Sequence, residues 1–392
     1  MGGSVKSDMI EILACPGCQE SPLEMRVLGH RQEEVIEGEM RCPHCGGSYP
    51  VRDGIPFMFP DLEALSGSHS LLSEPREMMD ASSYEKHKEV AEANTAYYDA
   101  VAELYENEIE QAVHQSDSNQ RRMDKIVRDL AENTQKESFL DLGCGTGNVL
   151  KFGKRYFNKA IGIDISFNML RVATQNNLEV VQGDILFLPF KSSLFDVVSV
   201  FSVLHHIYDY TQVFDQVGRV LKPGGYLYSD WDPAKKPLPN EGRVSWRVYQ
   251  LAHILFSSLR TTKRRLEVLT KKHTHQDTPI DFSEIRPDLK DIHARAEFHN
   301  LRKQEERGID FPTMRNQLEA QGFSDIRPSY HQSGLSIDQL RGVPFLKSRL
   351  LTLLGFDPEP FLENILVLAR KETDFEKNAP SGHSGPRQGR RT

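Results

Sequence analysis

Short apolar runs alternate with amphipathic stretches through the middle of the chain. Residues 139–142, 159–165, 178–184, 195–204 and 226–231 are rich in Val, Ile, Leu and Phe and read as strands. A helical pattern opens near Asn148, another covers residues 210–221, and LKPGG turns the chain into the fifth strand. Strands and helices alternating at these lengths predict an α/β fold, a doubly wound parallel sheet with helices on both faces. Further on, residues 310–322 read as a helix, with Pro312 in its first turn and Gly322 at its end. Strands at 323–330 and 363–370 then close the sheet, making seven. Ahead of the core, residues 84–114 form a long helix-like run.

The pattern divides the chain into residues 1–60, a linker at 61–83, a core at 84–232, an insertion at 233–308, the end of the core at 309–370 with a second insertion, and a tail from 371. The first insertion holds a Pro-rich loop, an apolar helical segment at 244–259 and a basic run at 263–275. The second holds an apolar helix at 345–354. The two would cap the ligand edge of the sheet, where His293 and His299 are minor candidates. Residues 374–392, rich in Gly, Pro, Ser and Arg, read as disordered.

Charge sharpens this division. The 392 residues carry a formal charge of −8, but residues 61–120 hold 3 basic and 14 acidic side chains, whereas residues 233–308 hold 16 and 10. The acidic balance argues against a general nucleic-acid binder, and the basic insertion keeps an anionic substrate open. The longest nearly apolar run, residues 197–204, falls far short of the roughly 18–20 residues of a membrane span. No basic-then-apolar signal opens the chain. The expectation is a cytoplasmic protein without integral membrane association.

Four of the five cysteines, Cys15, Cys18, Cys42 and Cys45, form two C-x-x-C pairs. Two tight loops presenting two thiolates each can close a tetrahedral zinc site, and four protein sulfurs leave no open position for catalysis. The metal would then serve folding, with His44 a bystander; disulfides or a redox motif are the alternatives. The surrounding text, ILACPGC and MRCPHCGGSYPVRDGIPFMFPD, resembles the small zinc-ribbon protein that serves as activating subunit of several RNA and protein methyltransferases. In that family the ribbon is a separate chain docked edge-to-edge on its enzyme; here it would be fused to one.

Residues 138–147, SFLDLGCGTG, run from a strand through a three-glycine loop into a helix. Such a turn lets a ligand approach the backbone, and the helix start offers N–H groups to an anion. The second and third strands end at Asp164 and Asp184; an acid at such a strand end can accept from a ribose diol, while a helix cap is the plain alternative. DLGCGTG, GIDIS, GDILFLPF, FDVVSVFSVLHHI and LKPGGYLY together resemble the class I, type 11 S-adenosylmethionine-dependent methyltransferases over residues 139–231. That resemblance implies a Rossmann-like, mostly parallel seven-stranded sheet. By position it implies Gly143, Gly145 and Gly147 at the methionyl part with Asp141 nearby, Asp164 on the ribose, Asp184 on the adenine amine and Ile185 beside the ring. The G-x-G-x-G spacing counts against NAD, and Cys144 need be no more than a small loop residue.

Methyl transfer needs an acceptor atom aligned about 3 Å from the methyl group, and a base only where the acceptor keeps its proton. His205 and His206 follow the fourth strand at the ligand edge and are the candidate bases, with Tyr208 a lesser one. Asp230 and Asp232, two apart on a strand, should share a face and could hold a metal or act as base, with Trp231 walling the acceptor pocket. Tyr97, Tyr98 and Tyr105 fit a lid over the cofactor or plain packing. The resulting expectation is a methyltransferase acting on a small-molecule or lipid-like acceptor. An RNA or translation-protein substrate docked through the ribbon is the alternative, and a non-catalytic scaffold the third reading.

Overall fold

The computed structural model describes residues 7–31, 34–60, 81–105, 117–235, 308–331 and 364–373. The two insertions and the tail lie almost wholly outside the described residues, and with them the apolar helices, the basic run, His293 and His299.

Among the described residues eleven strands, numbered in chain order, form one sheet in the order β1-β2-β3-β4-β7-β6-β5-β8-β9-β11-β10. Seven belong to the α/β core: β5 (Ser138–Leu142), β6 (Lys159–Asp164), β7 (Glu179–Gly183), β8 (Phe195–Phe201), β9 (Leu221–Pro233), β10 (Phe323–His331) and β11 (Asn364–Lys371). Pairings among β5–β9 are parallel, and β11 and β10 join antiparallel. Every residue of β5 and β8 is buried, which is why their sequences read as unbroken apolar runs rather than alternating ones.

Helices α3 (Asp117–Glu132), α4 (Leu150–Tyr156) and α5 (Phe167–Gln175) pack on one face through Met123, Val127, Phe152 and Leu170. Helices α6 (Val213–Val220) and α7 (Phe311–Ala320) cover the other through Phe214, Val217, Met314 and Leu318. Helix α6 is shorter than the predicted 210–221, because Asp209 caps a separate 3-10 turn at Tyr210–Gln212. LKPGG is a bulge inside β9 rather than a turn before it: Phe195 pairs with Leu221 and Val197 with Tyr226.

The remaining four strands are β1 (Glu24–Arg31), β2 (Glu34–Arg41), β3 (Ser48–Arg52) and β4 (Ile55–Met58), an antiparallel meander after the short helix α1 (Ser7–Ile10). The seven core strands are those expected, and the meander extends their sheet to eleven among the described residues. β4 pairs in parallel with β7, Phe57 opposite Gln182 and Met58 opposite Gly183. A second seam runs beside it: Ala14 N–H donates to Pro189 O at 2.9 Å and Lys191 N–H to Ile12 O at 3.1 Å. Met9, Leu13 and Met40 join the same buried cluster as Phe187 and Phe190. Among the described residues no helix is long and apolar enough to cross a membrane.

Candidate functional site

The four meander cysteines converge. Cys15 and Cys45 Sγ are 3.5 Å apart, Cys18 and Cys42 Sγ 3.6 Å, and all four lie within 4.8 Å of one another. Sulfurs about 2.3 Å from a central zinc would stand roughly 3.8 Å apart, so the set fits a tetrahedral ion. It does not fit disulfides, whose sulfurs approach to about 2.05 Å. His44 stays exposed outside the group. Tyr49 Oη lies 2.9 Å from Cys15 Sγ, a path left open by Gly47, whose Cβ would stand 2.5 Å from that oxygen. Burial raises the Cys15 thiol, but hydrogen bonds from Tyr49, the Cys18 backbone and neighbouring cysteines outweigh it, and the net shift is downward, toward the thiolate a metal needs.

At the carboxyl ends of β5, β6 and β7 lies a cavity of about 140 Å³. Asp141, Gly143, Gly145, Asp164, Asp184 and Ile185 line it, as does His206. Gly147 and His205 are not on its wall. Gly147 shapes the turn from behind: its φ is +99°, and a Cβ there would stand 2.0 Å from Leu178 Cδ1. Cys144 is buried beneath the loop, in space that Gly162 leaves free, and burial raises its thiol well above the ordinary value. That thiol is inert packing, as a small loop residue should be.

The strand-end acids hold the loops in shape. Asp164 Oδ2 accepts from Gly145 N–H at 2.8 Å and Oδ1 from Ser166 N–H at 2.9 Å, while Ser166 Oγ caps α5. Asp184 Oδ1 caps the following 3-10 turn, accepting from Leu186 N–H at 2.9 Å. Asp141 accepts from Ser199 Oγ at 2.5 Å. Burial pushes Asp141 up to about 7, and Asp164 also rises through burial, more than its backbone hydrogen bonds lower it. A ligand bearing positive charge would relieve both. S-adenosylmethionine carries such charge on its sulfonium and ammonium, and its ribose diol and adenine amine are further donors.

Over the cavity lies α2 (Ala81–Leu104), which presents His87, Ala91, Asn94 and Tyr98 to it. It is tied to three strand ends. His87 Nε2 lies 2.5 Å from Asp184 Oδ2, Asp99 Oδ1 accepts from Ser166 Oγ at 2.6 Å, and Asn94 Nδ2 donates to His206 O at 3.0 Å. Tyr98 Oη is 2.8 Å from His206 Nε2. Tyr98 and Tyr105 line the cavity and Tyr97 does not. Sequence reasoning missed His87, Asn94 and Asp99. The signal was available: positions 87, 91, 94 and 98 follow helical spacing, with polar residues at three of them.

Beyond β8 and β9, His205 Nδ1 lies 2.8 Å from Asp232 Oδ1, and its ring centroid is 3.9 Å from that of His206, the two rings tilted by 43°. Asp232 is fully buried. Asp230 does not join it in one carboxylate pair. Trp231 between them has φ +65°, which breaks strand alternation, and Asp230 instead binds Arg122, Tyr228 and His331. Among the described residues the four cysteines alone form a group able to hold a metal ion. Trp231 packs against Phe201 and His331, centroids 6.0 and 5.1 Å away. Lys86 Nζ stands 5.7 Å from the Tyr208 ring.

Comparison with known proteins follows the same division. A family described as "Methyltransferase domain" matches residues 140–229, and one described as "Trm112p-like protein" matches residues 6–54. A demethylmenaquinone methyltransferase of Lactococcus lactis is 41% identical over 98 residues, covering 22% of this chain and 39% of that protein. The chain thus spans about two fifths of the length of the curated relatives it matches. An S-adenosylmethionine dependent methyltransferase from Mesorhizobium loti is similar at 18% identity and a TM-score of 0.37, over 63% of this chain and 96% of that one. A chain from the complex of the Haloferax volcanii Trm112 methyltransferase activator is similar at 13% identity and a TM-score of 0.38, over 70% and 97%. Residues 6–54 and 140–229 are accordingly a Trm112p-like domain joined, in one polypeptide, to a methyltransferase domain.

Proposed function

We propose that this chain is an S-adenosylmethionine-dependent methyltransferase acting on a small-molecule or lipid-like acceptor. The observation that carries the reading is the cavity at the ends of β5–β7, lined by Asp141 and Asp164, whose carboxyls burial raises, and by Asp184. In it Asp141 would face the methionyl part, Asp164 the ribose and Asp184 the adenine. Relatives named demethylmenaquinone methyltransferase support a small-molecule acceptor.

When bound, S-adenosylmethionine supplies a methyl group already activated on a sulfonium. The chain's task is then to orient the acceptor, exclude water and take up a proton. His205 would serve the last. Its Nδ1–H donates to Asp232 Oδ1, which fixes the tautomer and leaves Nε2 as the basic atom. His206, held by Tyr98, is itself on the cavity wall, with its ring centroid 3.9 Å from that of His205.

The Trm112p-like match favours a second reading, an RNA or translation-protein acceptor. Titration calorimetry with S-adenosylmethionine tests the first step: binding to the wild type, lost with Asp164→Ala, is expected. Unchanged affinity in that variant would remove Asp164 from the site. Transfer of labelled methyl to fractionated cell extract then chooses the acceptor class. Label in the small-molecule or lipid fraction supports the first reading, and label in RNA or protein the second.

A further inference from the structure

Two residues at the ends of neighbouring strands have left-handed backbones: Ser202 just after β8, φ +58°, and Trp231 in β9, φ +65°. Neither is glycine, so each conformation must be held against its cost. Both are tied to Asp230. Its main-chain oxygen accepts from Ser202 N–H at 2.8 Å. Its side chain is fully buried and accepts from four groups among the described residues. Oδ1 takes Trp231 N–H at 2.8 Å and His331 Nε2 at 2.7 Å; Oδ2 takes Arg122 at 2.7 Å and Tyr228 Oη at 3.0 Å. These donors reach it from α3, β9 and β10. The Arg122 guanidinium supplies the charge that a buried carboxylate requires. His331 grips twice, because its ring also lies 5.1 Å from that of Trp231.

The left-handed turn at residue 231 bears on His205. In a regular strand Asp230 and Asp232 would point to the same side. Here Asp230 points to Arg122 and His331, while Asp232 reaches the turn that carries His205. There its Oδ1 accepts from His205 N–H at 3.1 Å and from His205 Nδ1 at 2.8 Å. An extended Trp231 would carry Asp232 away from the ring and leave Nδ1–H without its acceptor. We propose that Asp230 is a positioning residue: gripped by Arg122, Tyr228 and His331, it keeps Trp231 left-handed and so turns Asp232 onto His205. This rests on the reading of His205 as the proton-accepting residue. Asp230 does not line the cavity and acts only through its neighbours.

The test reads the tautomer of His205 from the imidazole 15N–1H spectrum of the whole chain, with no acceptor needed. Its signal is assigned by its absence from His205→Gln. In the wild type the proton should sit on Nδ1. Asp230→Asn keeps the shape of the side chain and removes the charge that gathers the donors. The Nδ1-protonated form should then fall from dominant to minor. Adding Trp231→Gly should restore it at least in part, because glycine takes a positive φ as readily as a negative one. If Asp230 served stability alone, Asp230→Asn would melt earlier with the His205 tautomer unmoved, and the proposal would be overturned. A tautomer that is lost and not restored by Trp231→Gly also overturns it, since Asp230 would then act by a route other than residue 231. A wild type with the proton on Nε2 removes the His205 reading and this proposal together, whereas a wild-type Nδ1 proton that Asp230→Asn leaves in place removes this proposal alone. Should Asp230→Asn fail to fold, two variants at the half-buried His331 decide. His331→Phe keeps a ring on Trp231 and drops the donor, and should lower the Nδ1-protonated form. His331→Gln keeps a donor and should retain it; equal behaviour of the two refutes the grip on Asp230.

Discussion

Asp141 is the most exacting test of the electrostatic argument. It is 2% exposed at the end of β5, and burial raises it from 3.8 to about 7. The native chain therefore binds this proton more tightly than the unfolded chain. Stability from this group is highest below about pH 4, falls as pH rises toward about 7 and is level above that. An interval of about three pKa units, at 1.36 kcal/mol each, makes the ionised carboxylate cost the ligand-free fold about 4 kcal/mol at pH 8. Asp141→Asn removes the charge and can keep the hydrogen bonds. Its oxygen can accept from Leu150 N–H, and its N–H₂ can donate to Ser199 Oγ, whose own proton reaches Leu140 O at 3.3 Å. The assay is urea unfolding of both proteins without ligand from pH 5 to pH 8. The variant should gain on the wild type by about 2–3 kcal/mol between pH 5 and pH 7 and hold that gain at pH 8. With saturating S-adenosylmethionine the gain should shrink, because a cationic ligand neutralises the wild-type carboxylate. A difference flat across the pH range would refute the claim that Asp141 is strained by its own charge.

Other outcomes follow from the same structure. Metal analysis of the folded protein should find about one zinc per chain, and Cys42→Ser should lose it together with several degrees of melting temperature. Gly147→Ala should destabilise by about 1–3 kcal/mol from strain and overpacking, with partial recovery when Leu178→Ala makes room; thermal unfolding reads both. His205→Gln should lower kcat by roughly 10²–10⁴ with little change in KM if the acceptor must lose a proton. Asp232→Asn should also lower kcat, because it removes the acceptor that fixes the His205 tautomer, and an unchanged kcat would mean that the dyad takes no part in proton transfer.

The sequence carried the elements written in local text. Two C-x-x-C knuckles, the SFLDLGCGTG turn and the acids closing β6 and β7 were legible because backbone geometry and metal chemistry restrict residue choice within a few positions. Three features were not. The parallel contact of β4 with β7 joins residues 57 and 182, and nothing in either strand names its partner. The assumption that Asp230 and Asp232 share a face used strand alternation, which the left-handed Trp231 cancels. His87 looked like one more polar residue on an acidic helix because its partner, Asp184, lies 97 positions away. Long-range pairing and backbone irregularity, rather than composition, set the limit of that reading.

The seam between β4 and β7 has a consequence for stoichiometry. A ribbon supplied by a separate chain would follow mass action: the docked fraction would depend on its abundance, and any other enzyme with a similar edge would compete for it. Here the ribbon is covalently tethered and already seated on its own sheet. A covalent tether that spans its two sites can hold them at an effective concentration on the order of millimolar, whatever the expression level. The enzyme and its ribbon are therefore present one to one in every molecule, and dilution cannot separate them. Excess free ribbon protein would meet an edge that is already taken.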